Sequence, residues 1–392
     1  MVEVSFQHLV DSLGLPVEAE TWRDGWDASQ AVYPGGGGGC FDADRLRHAC
    51  DAVGLSEQPR SILLAARPAF ASHDLLCRLA WHLHRRLYDA PGLLKADVPS
   101  WPMLPLETVP ESDLFHAYLF LAGVERLQAW YAECGIPMSV FRATMGDLER
   151  WMRAHHERTQ RWGFSEQRWL IHHLAGNLFQ LGRLQFQFGA HRTPYHAWRQ
   201  QRTGSVCLMA QGDVSFDRGG LVASTDADLP LRSAYRETLD GVHGLPIDPR
   251  GFACTQDIDL PRAEWSKVLS PGDAALNIHI PAGAPMDYDQ CGDSLRQAID
   301  FFPRHFPAFA GKAFVCGSWL LDPQFEPVLK PESNIVRFLR SVYLFPLPGA
   351  GPGAPLARVF GMDTVDLATA PRDTSLRRAI LDHMQRGGQW RA

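Results

Sequence analysis

His279 is the residue best placed in this sequence to move a proton. It lies near the end of the apolar run Ala274 to Ile280, and an imidazole with an ordinary pKa of about 6.5 exchanges a proton near neutral pH. The alternative is a strand histidine whose ring nitrogens are hydrogen-bonded in the core. Asp322 offers a carboxylate beside Ser318 and Trp319, although with Pro323 next to it the same carboxylate can cap a helix. Cys316 and His279 could in principle make a thiolate and base pair, but a thiol flanked by Phe314 and Val315 reads as buried and inert. Ser333 and Asn334 open another helix, where they cap it or hold a ligand amide. Gln185 and Gln187 alternate with Phe186 and Phe188, so they share one strand face that lines solvent or a cleft.

These residues sit where secondary-structure elements should meet. Ala274–Ile280 reads as a buried strand cut off by Pro281 and Gly283. A helix restarts after Asp287, which can cap it while Gln290 reaches back. Cys291, Leu295, Ala298 and Phe302 give that helix one apolar face, and Pro303 and Pro307 should stop it. Lys312 to Leu321 is the next apolar run. The expected β-α-β unit puts both strands in one sheet, and ligands of such layers settle beyond the carboxyl ends of the strands. The reading therefore requires residues near 280 and near 320 to end side by side around an open slot.

The 392 residues suffice for two domains, and 45% hydrophobic with 21% charged residues is an ordinary globular composition. Lys and Arg number 38 against 44 Asp and Glu, a formal charge of −6 without a basic run. Nucleic-acid binding thus loses its electrostatic motive. The start has no basic region followed by an apolar stretch, and about 18 apolar residues nowhere run together; the expectation is a cytoplasmic protein that does not engage membranes. The eight cysteines lack any Cys-x-x-Cys pair, which argues against a zinc ribbon or a dense disulfide framework. A metal-dependent oxygenase would need a His-x-Asp/Glu with a distant His, a spacing that His191 and Asp213 do not have. No metal is expected.

Residues 1–163 read as an all-helical domain: an opening stretch around Leu9 and Leu13, a flexible loop over Gly35–Gly39, then helices over Asp42–Val53, Ser72–Tyr88, Ser112–Cys134 and Ser139–Thr159, with a Pro-containing break at Pro91–Pro110. The pairs His82/His84, His155/His156 and His172/His173 are spaced wrongly for a shared helix face and read as partly exposed histidines. Residues 164–392 read as an α/β domain. Ser165 starts a helix to about Leu181, Arg183–Phe188 and Val206–Ala210 are strands, and Gln211–Asp213 is a turn. Asp217–Pro230 is turn-rich, Ser233–Val242 and Ser333–Tyr343 are helices, Pro346–Pro355 is a loop, Arg358–Gly361 is a last strand and Thr374–Met384 a terminal helix.

Two phrases, Gly182-Arg-Leu-Gln-Phe-Gln-Phe188 and the block from Asn277-Ile-His-Ile-Pro281 through Ser318-Trp-Leu-Leu321 to Pro331-Glu-Ser-Asn-Ile-Val-Arg-Phe338, resemble a bacterial, often actinobacterial, acyltransferase family. Its members have a helical N-terminal domain and a mixed-sheet C-terminal domain similar to GCN5-related N-acetyltransferases (GNAT-like), an α+β or α/β architecture overall. The resemblance implies that the splayed strand end at Ile278 to Ile280 receives the phosphopantetheine arm of acyl-CoA or of an acyl carrier protein. Gly283, Ala284 and the helix start at Asp287 would face the phosphates, and His279 would lie near the reacting carbonyl. The family's Arg/Gln-x-x-Gly-x-Gly/Ala loop is replaced here by Pro281-Ala-Gly-Ala-Pro-Met-Asp287. Asp287, Asp289 and Asp293 crowd the helix start, with Arg296 as the nearby cation, and like charge opposes a pyrophosphate. A carrier-protein donor, or a domain that has lost activity, fits that acidity better.

The leading expectation is an acyltransferase that moves an acyl group from a thioester to an amine or hydroxyl of a small-molecule or peptide acceptor by direct attack. Catalysis would fall to His279 and Asp322, donor binding to Ile278, Ile280, Gly283, Ala284, Arg296, Ser333 and Asn334, and acceptor binding to Gln185, Gln187, Ser318 and Trp319. The alternative is a non-catalytic ligand-binding or scaffold protein that keeps the fold.

Overall fold

The computed structural model describes residues 4–89, 101–104, 106, 109, 111–223, 231–348, 353–362, 364–388 and 390. The chain divides into two compact units, Met1–Gln187 and Phe188–Ala392. The sequence-based division after Gly163 would place one further helix and a strand hairpin with the second part.

In the first unit the helices are α1 (Phe6–Leu13), α2 (Trp26–Ala31), α3 (Ala43–Val53), α4 (Glu57–Ala71), α5 (Asp74–Tyr88), α6 (Phe115–Ala122), α7 (Val124–Glu133), α8 (Met138–Met145), α9 (Asp147–Thr159) and α10 (Gln167–Leu174). Phe41, Phe70, Phe115 and Tyr118 bring them together, with Phe70 and Tyr118 ring centroids 4.9 Å apart. Each long helix expected over 112–134 and 139–159 is in fact two. Gly123 separates α6 from α7, where any Cβ would collide with the Tyr88 ring, so close packing decides the break. Helix α4 was not expected; Pro59 falls in its first turn, where a missing N–H costs nothing, and Pro68 in its last. The glycine run forms a short 3-10 turn over Gly36–Gly39, and the expected break at Pro91–Pro110 lies largely outside the described residues.

Helix α10 ends at Leu174, short of the expected Leu181. There the chain instead forms β1 (Leu178–Leu181), which pairs antiparallel with β2 (Leu184–Ala190), Phe179 opposite Phe186. Both phenylalanines are fully buried, and that cross-strand pair outweighs the helical spacing of the leucines.

The strands of the second unit are β3 (Tyr195–Gln200), β4 (Val206–Ala210), β5 (Ser215–Phe216), β6 (Leu231–Arg232), β7 (Tyr235–Glu237), β8 (Gly241–Gly244), β9 (Pro246–Asp248), β10 (Phe252–Ala253), β11 (Ile258–Pro261) and β12 (Trp265–Leu269). A five-stranded sheet runs β10-β9-β4-β3-β12, and a three-stranded one β11-β8-β7. The helix expected over Ser233–Val242 is therefore two short strands, and their ladder (Tyr235 opposite Gly244, Glu237 opposite Val242) satisfies backbone groups that helical periodicity cannot reveal. Part of the turn-rich stretch 217–230 lies outside the described residues.

Next come β13 (Ala274–His279), α11 (Tyr288–His305) and β14 (Ala313–Val315), the expected β-α-β unit with its strands parallel and adjacent. Asp287 caps α11 by accepting from the Gln290 N–H at 2.9 Å. Pro303 does not stop α11; it sits inside the last turn, and the helix continues to His305. β14 is also shorter than expected, with a 3-10 turn over Trp319–Leu321 replacing the strand's second half. Helices α12 (Asn334–Ser341), α13 (Gly353–Phe360) and α14 (Ser375–Gln385) complete the unit. The last strand expected over Arg358–Gly361 is the end of α13, whose Leu356 is buried with Phe325, Ile380 and Trp390 in a shared core. Part of the loop expected over Pro346–Pro355 is outside the described residues.

Candidate active site

Paired residues of β13 and β14 run from Ala275 and Ala313 to Asn277 and Val315. β13 continues two residues past the last pair, so Ile278 and His279 extend alongside Cys316 and Gly317 beyond the ladder.

An open cavity of about 640 Å³ begins at these tips, within the second unit. Ile278, Val315, Cys316, Gly317, Ser318 and Trp319 form its near wall; α11 and α12 contribute Leu295 and Phe338, and the segment Val342–Pro348 forms another side. The five-stranded sheet adds Leu208 and Leu269, next to His191. The volume falls in the range of small-molecule sites. A sealed, dry void of that size would cost about 15 kcal/mol at the cavity rate for core truncations, as much as a whole domain's stability. It is therefore an open cavity and not a packing defect. The slot required between residues near 280 and near 320 is present and unplugged.

Strand alternation divides the tip into two faces. Ile278 is buried and lines the cavity, so Asn277 and His279 project to the other face. Gly189 makes room there, since any Cβ at that position would collide with the Asn277 amide. Asn277 escaped the sequence reading. The available signal was polar residues two apart in an otherwise apolar strand.

Asp322 lines the cavity and is 8% exposed. Its carboxylate accepts from the Gln324 N–H at 2.9 Å and from Gln324 Nε2 at 3.0 Å, so it caps the 3-10 turn Pro323–Phe325. Ser318 likewise accepts from the Leu320 N–H, and the Trp319 ring meets Phe325 edge-on at 5.9 Å. Cys316 is in the cavity wall, and burial pushes its thiol up to about 12. At neutral pH it is a protonated wall residue and not a nucleophile.

The loop after β13 leaves Gly283 and Ala284 exposed and Ile280 half-buried. Ser333 caps α12 by accepting from the Val336 N–H, with Asn334 as its first residue. The three aspartates at the start of α11 are all engaged. Asp287 is the cap, Asp293 pairs with Arg296 at 2.5 Å, and Asp289 lies 3.6 Å from Arg337. The Arg337 guanidinium also sits 4.1 Å over the Tyr288 ring. Arg337 is a second cation at this helix start, brought from a distant part of the chain and so invisible to a scan for neighbours in sequence.

Gln185 belongs to the first unit and does not line solvent or a cleft. It is 1% exposed, and its amide donates to Asp147 at 2.7 Å. The same carboxylate receives the Trp169 N–H at 3.0 Å, lies 2.8 Å from His173 Nε2 and pairs with Arg150. Gln187 is half-buried on β2, opposite Leu178. His82, His155 and His173, expected to be partly exposed, are buried. His82 shows why: one ring nitrogen faces the Trp22 carbonyl at 2.6 Å and the other Ser29 Oγ at 2.9 Å, so burial leaves it with partners. Among the described residues, no three His, Cys, Asp or Glu side chains gather where a metal ion could bind, and no helix is long and apolar enough to cross a membrane.

Comparison with known families places this geometry. Residues 178–392, more than half of the chain, match the GNAT-like C-terminal domain, and residues 44–176 match the N-acyltransferase N-terminal domain. The chain belongs to the GNAT-like acyltransferase family. It is thus an acyltransferase with a helical N-terminal part and a mixed-sheet C-terminal domain, which decides against the scaffold alternative. Solved structures share the fold: an acyltransferase in complex with decanoyl-CoA and teicoplanin is 23% identical with a TM-score of 0.65, covering 98% of this chain and 96% of that one. A mutant acyltransferase with octanoyl-CoA is 24% identical with a TM-score of 0.64 at the same coverage. An acyltransferase with CoA and 10C-teicoplanin is 23% identical with a TM-score of 0.65, again covering 98% and 96%. No curated protein matches the sequence.

Proposed function

We propose that this acyltransferase moves an acyl group from acyl-CoA to an amine of a small-molecule or peptide acceptor. The observation that carries the reading is the apolar cavity that opens at the ends of two adjacent parallel strands. The pantetheine arm lies between the tips, and the acyl chain occupies the cavity. The phosphates lie over the start of α11, where the helix N-terminus and the cations Arg296 and Arg337 favour them. Arg296 and Arg337 offset two of the three carboxylates Asp287, Asp289 and Asp293, which reduces the like-charge objection to CoA without removing it. The acyl-CoA and teicoplanin complexes of the structural relatives support the same donor and a peptide-like acceptor.

The acceptor approaches from the Asn277 and His279 face. Its nitrogen attacks the thioester carbonyl, and strand-tip N–H groups stabilise the oxyanion. The carbon–sulfur bond breaks, His279 takes the proton from nitrogen directly or through a water, and the CoA thiolate leaves and is protonated. Direct transfer suits a wall thiol that stays protonated. Asp322 shapes the wall by capping and takes no proton.

Incubation with acyl-CoA and a panel of primary amines, with free thiol followed optically, should show acceptor-dependent release. Absence of release across the panel, together with no CoA retained in native mass spectrometry, would overturn the proposal.

A further inference from the structure

The cavity runs from exposed residues to fully buried ones, and its buried part is built from identifiable side chains. His191 fixes the position of that part. Its backbone N–H donates to the Asp273 carbonyl at 2.8 Å, and Gly272 donates back to the His191 carbonyl at 2.8 Å. His191 is therefore level with the residue before β13, whereas Ile278 is at the far end of the strand. Five residues of strand separate the two levels, roughly 17 Å at about 3.3 Å per residue. The mouth residue Gly317 is exposed, while His191, Leu208 and Leu269 are all buried although they line the same cavity.

The sheet register explains the floor. Ala197 on β3 is paired with Leu208 on one side and Leu269 on the other, so all three point to one sheet face, two leucines flanking a short alanine. Phe345 stands over this row. Its ring centroid is 5.2 Å from Tyr195 and 6.4 Å from His191. The segment that carries it is strapped down, because Tyr195 donates to the Pro346 carbonyl at 2.5 Å and the Leu344 N–H to the Pro249 carbonyl at 2.9 Å. Phe345 is thus a large, half-buried side chain packed against the Leu208 and Leu269 row of the cavity wall, on a segment held by bonds on either side of it.

We infer that Phe345, with Leu208 and Leu269, is the stop that sets the longest acyl chain the enzyme accepts. The inference rests on the proposal that the cavity holds the acyl chain. With C–C bonds of about 1.5 Å advancing about 1.25 Å per carbon in a zigzag, roughly 17 Å takes about thirteen or fourteen carbons. Each methylene that finds apolar wall improves kcat/KM by about four-fold, and the first one that meets the stop reverses the trend.

The test is a chain-length profile of kcat/KM with saturated acyl-CoAs from two to eighteen carbons, on the wild-type protein, Phe345→Ala and Leu269→Phe. Phe345→Ala should move the optimum up by about three or four carbons, and Leu269→Phe should move it down by two or more. If Phe345→Ala does not fold, Leu269→Phe alone carries the downward shift. Active variants whose optimum stays at the wild-type length overturn the stop and leave the acyl-CoA reading intact. A wild-type protein that turns over no acyl-CoA of any length removes both.

Discussion

Asp147 in the helical unit and Asp322 in the sheet unit are both buried carboxylates, and the difference between their surroundings separates structure from function. Asp147 is 1% exposed. Arg150, Trp169, His173 and Gln185 converge on it, which is what a buried charge requires to persist. Asp322 caps a 3-10 turn through Gln324 and borders an open cavity. A saturated polar cluster fixes a fold; polar groups at the edge of an apolar void are where a ligand can still be recognised.

The sharpest way to separate the two regions is to remove one side chain from each. His279→Ala should lower kcat by about 10²- to 10⁴-fold with no change in melting temperature, measured as thiol release alongside a thermal melt. Lost stability with retained turnover would make His279 a core residue. Asp147→Ala should do the reverse, costing about 3–5 kcal/mol of unfolding free energy in urea titration while the folded fraction keeps its specific activity.

Acid should also distinguish the helical unit. Burial lowers His82 to about 4 and His116 to about 3. A histidine with a depressed folded pKa is neutral in the fold and protonates more readily when unfolded. Its stabilising contribution is complete above about pH 6.5 and is lost as pH falls toward the folded value. For His82 this amounts to about 3 kcal/mol by pH 4, so urea midpoints at pH 7.5, 5.5 and 4.5 should decline in that order.

Smaller effects test the sheet unit's loop and wall. Arg337→Ala should raise the KM for acyl-CoA about five-fold and leave the matching acyl-pantetheine, which lacks the adenosine phosphates, unaffected. Asp322→Asn keeps an oxygen for the Gln324 N–H and should change kcat less than two-fold. A hundred-fold loss would instead make that carboxylate catalytic.

What the sequence disclosed tracks how local the determining interaction is. The caps at Asp287 and Ser333 were legible because each bonds an N–H only three residues on. The β-α-β unit was legible because its apolar runs and its helical face repeat within short windows. The strands β7 and β8 were not, since a three- or four-residue strand draws its stability from a partner elsewhere. The breaks at Gly123 and in the Leu178–Leu181 stretch turn on the Tyr88 ring and on Phe186, residues that no window includes. The same holds for the site. His279 stood out by type, but Arg337 and Phe345 become relevant only once the fold brings them to the helix start and the cavity floor.

The odd and even positions of β13 divide the labour, with Ile278 toward the void and Asn277 and His279 turned away from it. Inserting one residue between Ala275 and Leu276 would exchange those assignments, aiming an imidazole into the greasy slot and an isoleucine at the incoming amine. Such a protein would keep every side chain of its catalytic inventory and most of its core, yet have its base on the wrong side of the wall from the nucleophile it must serve.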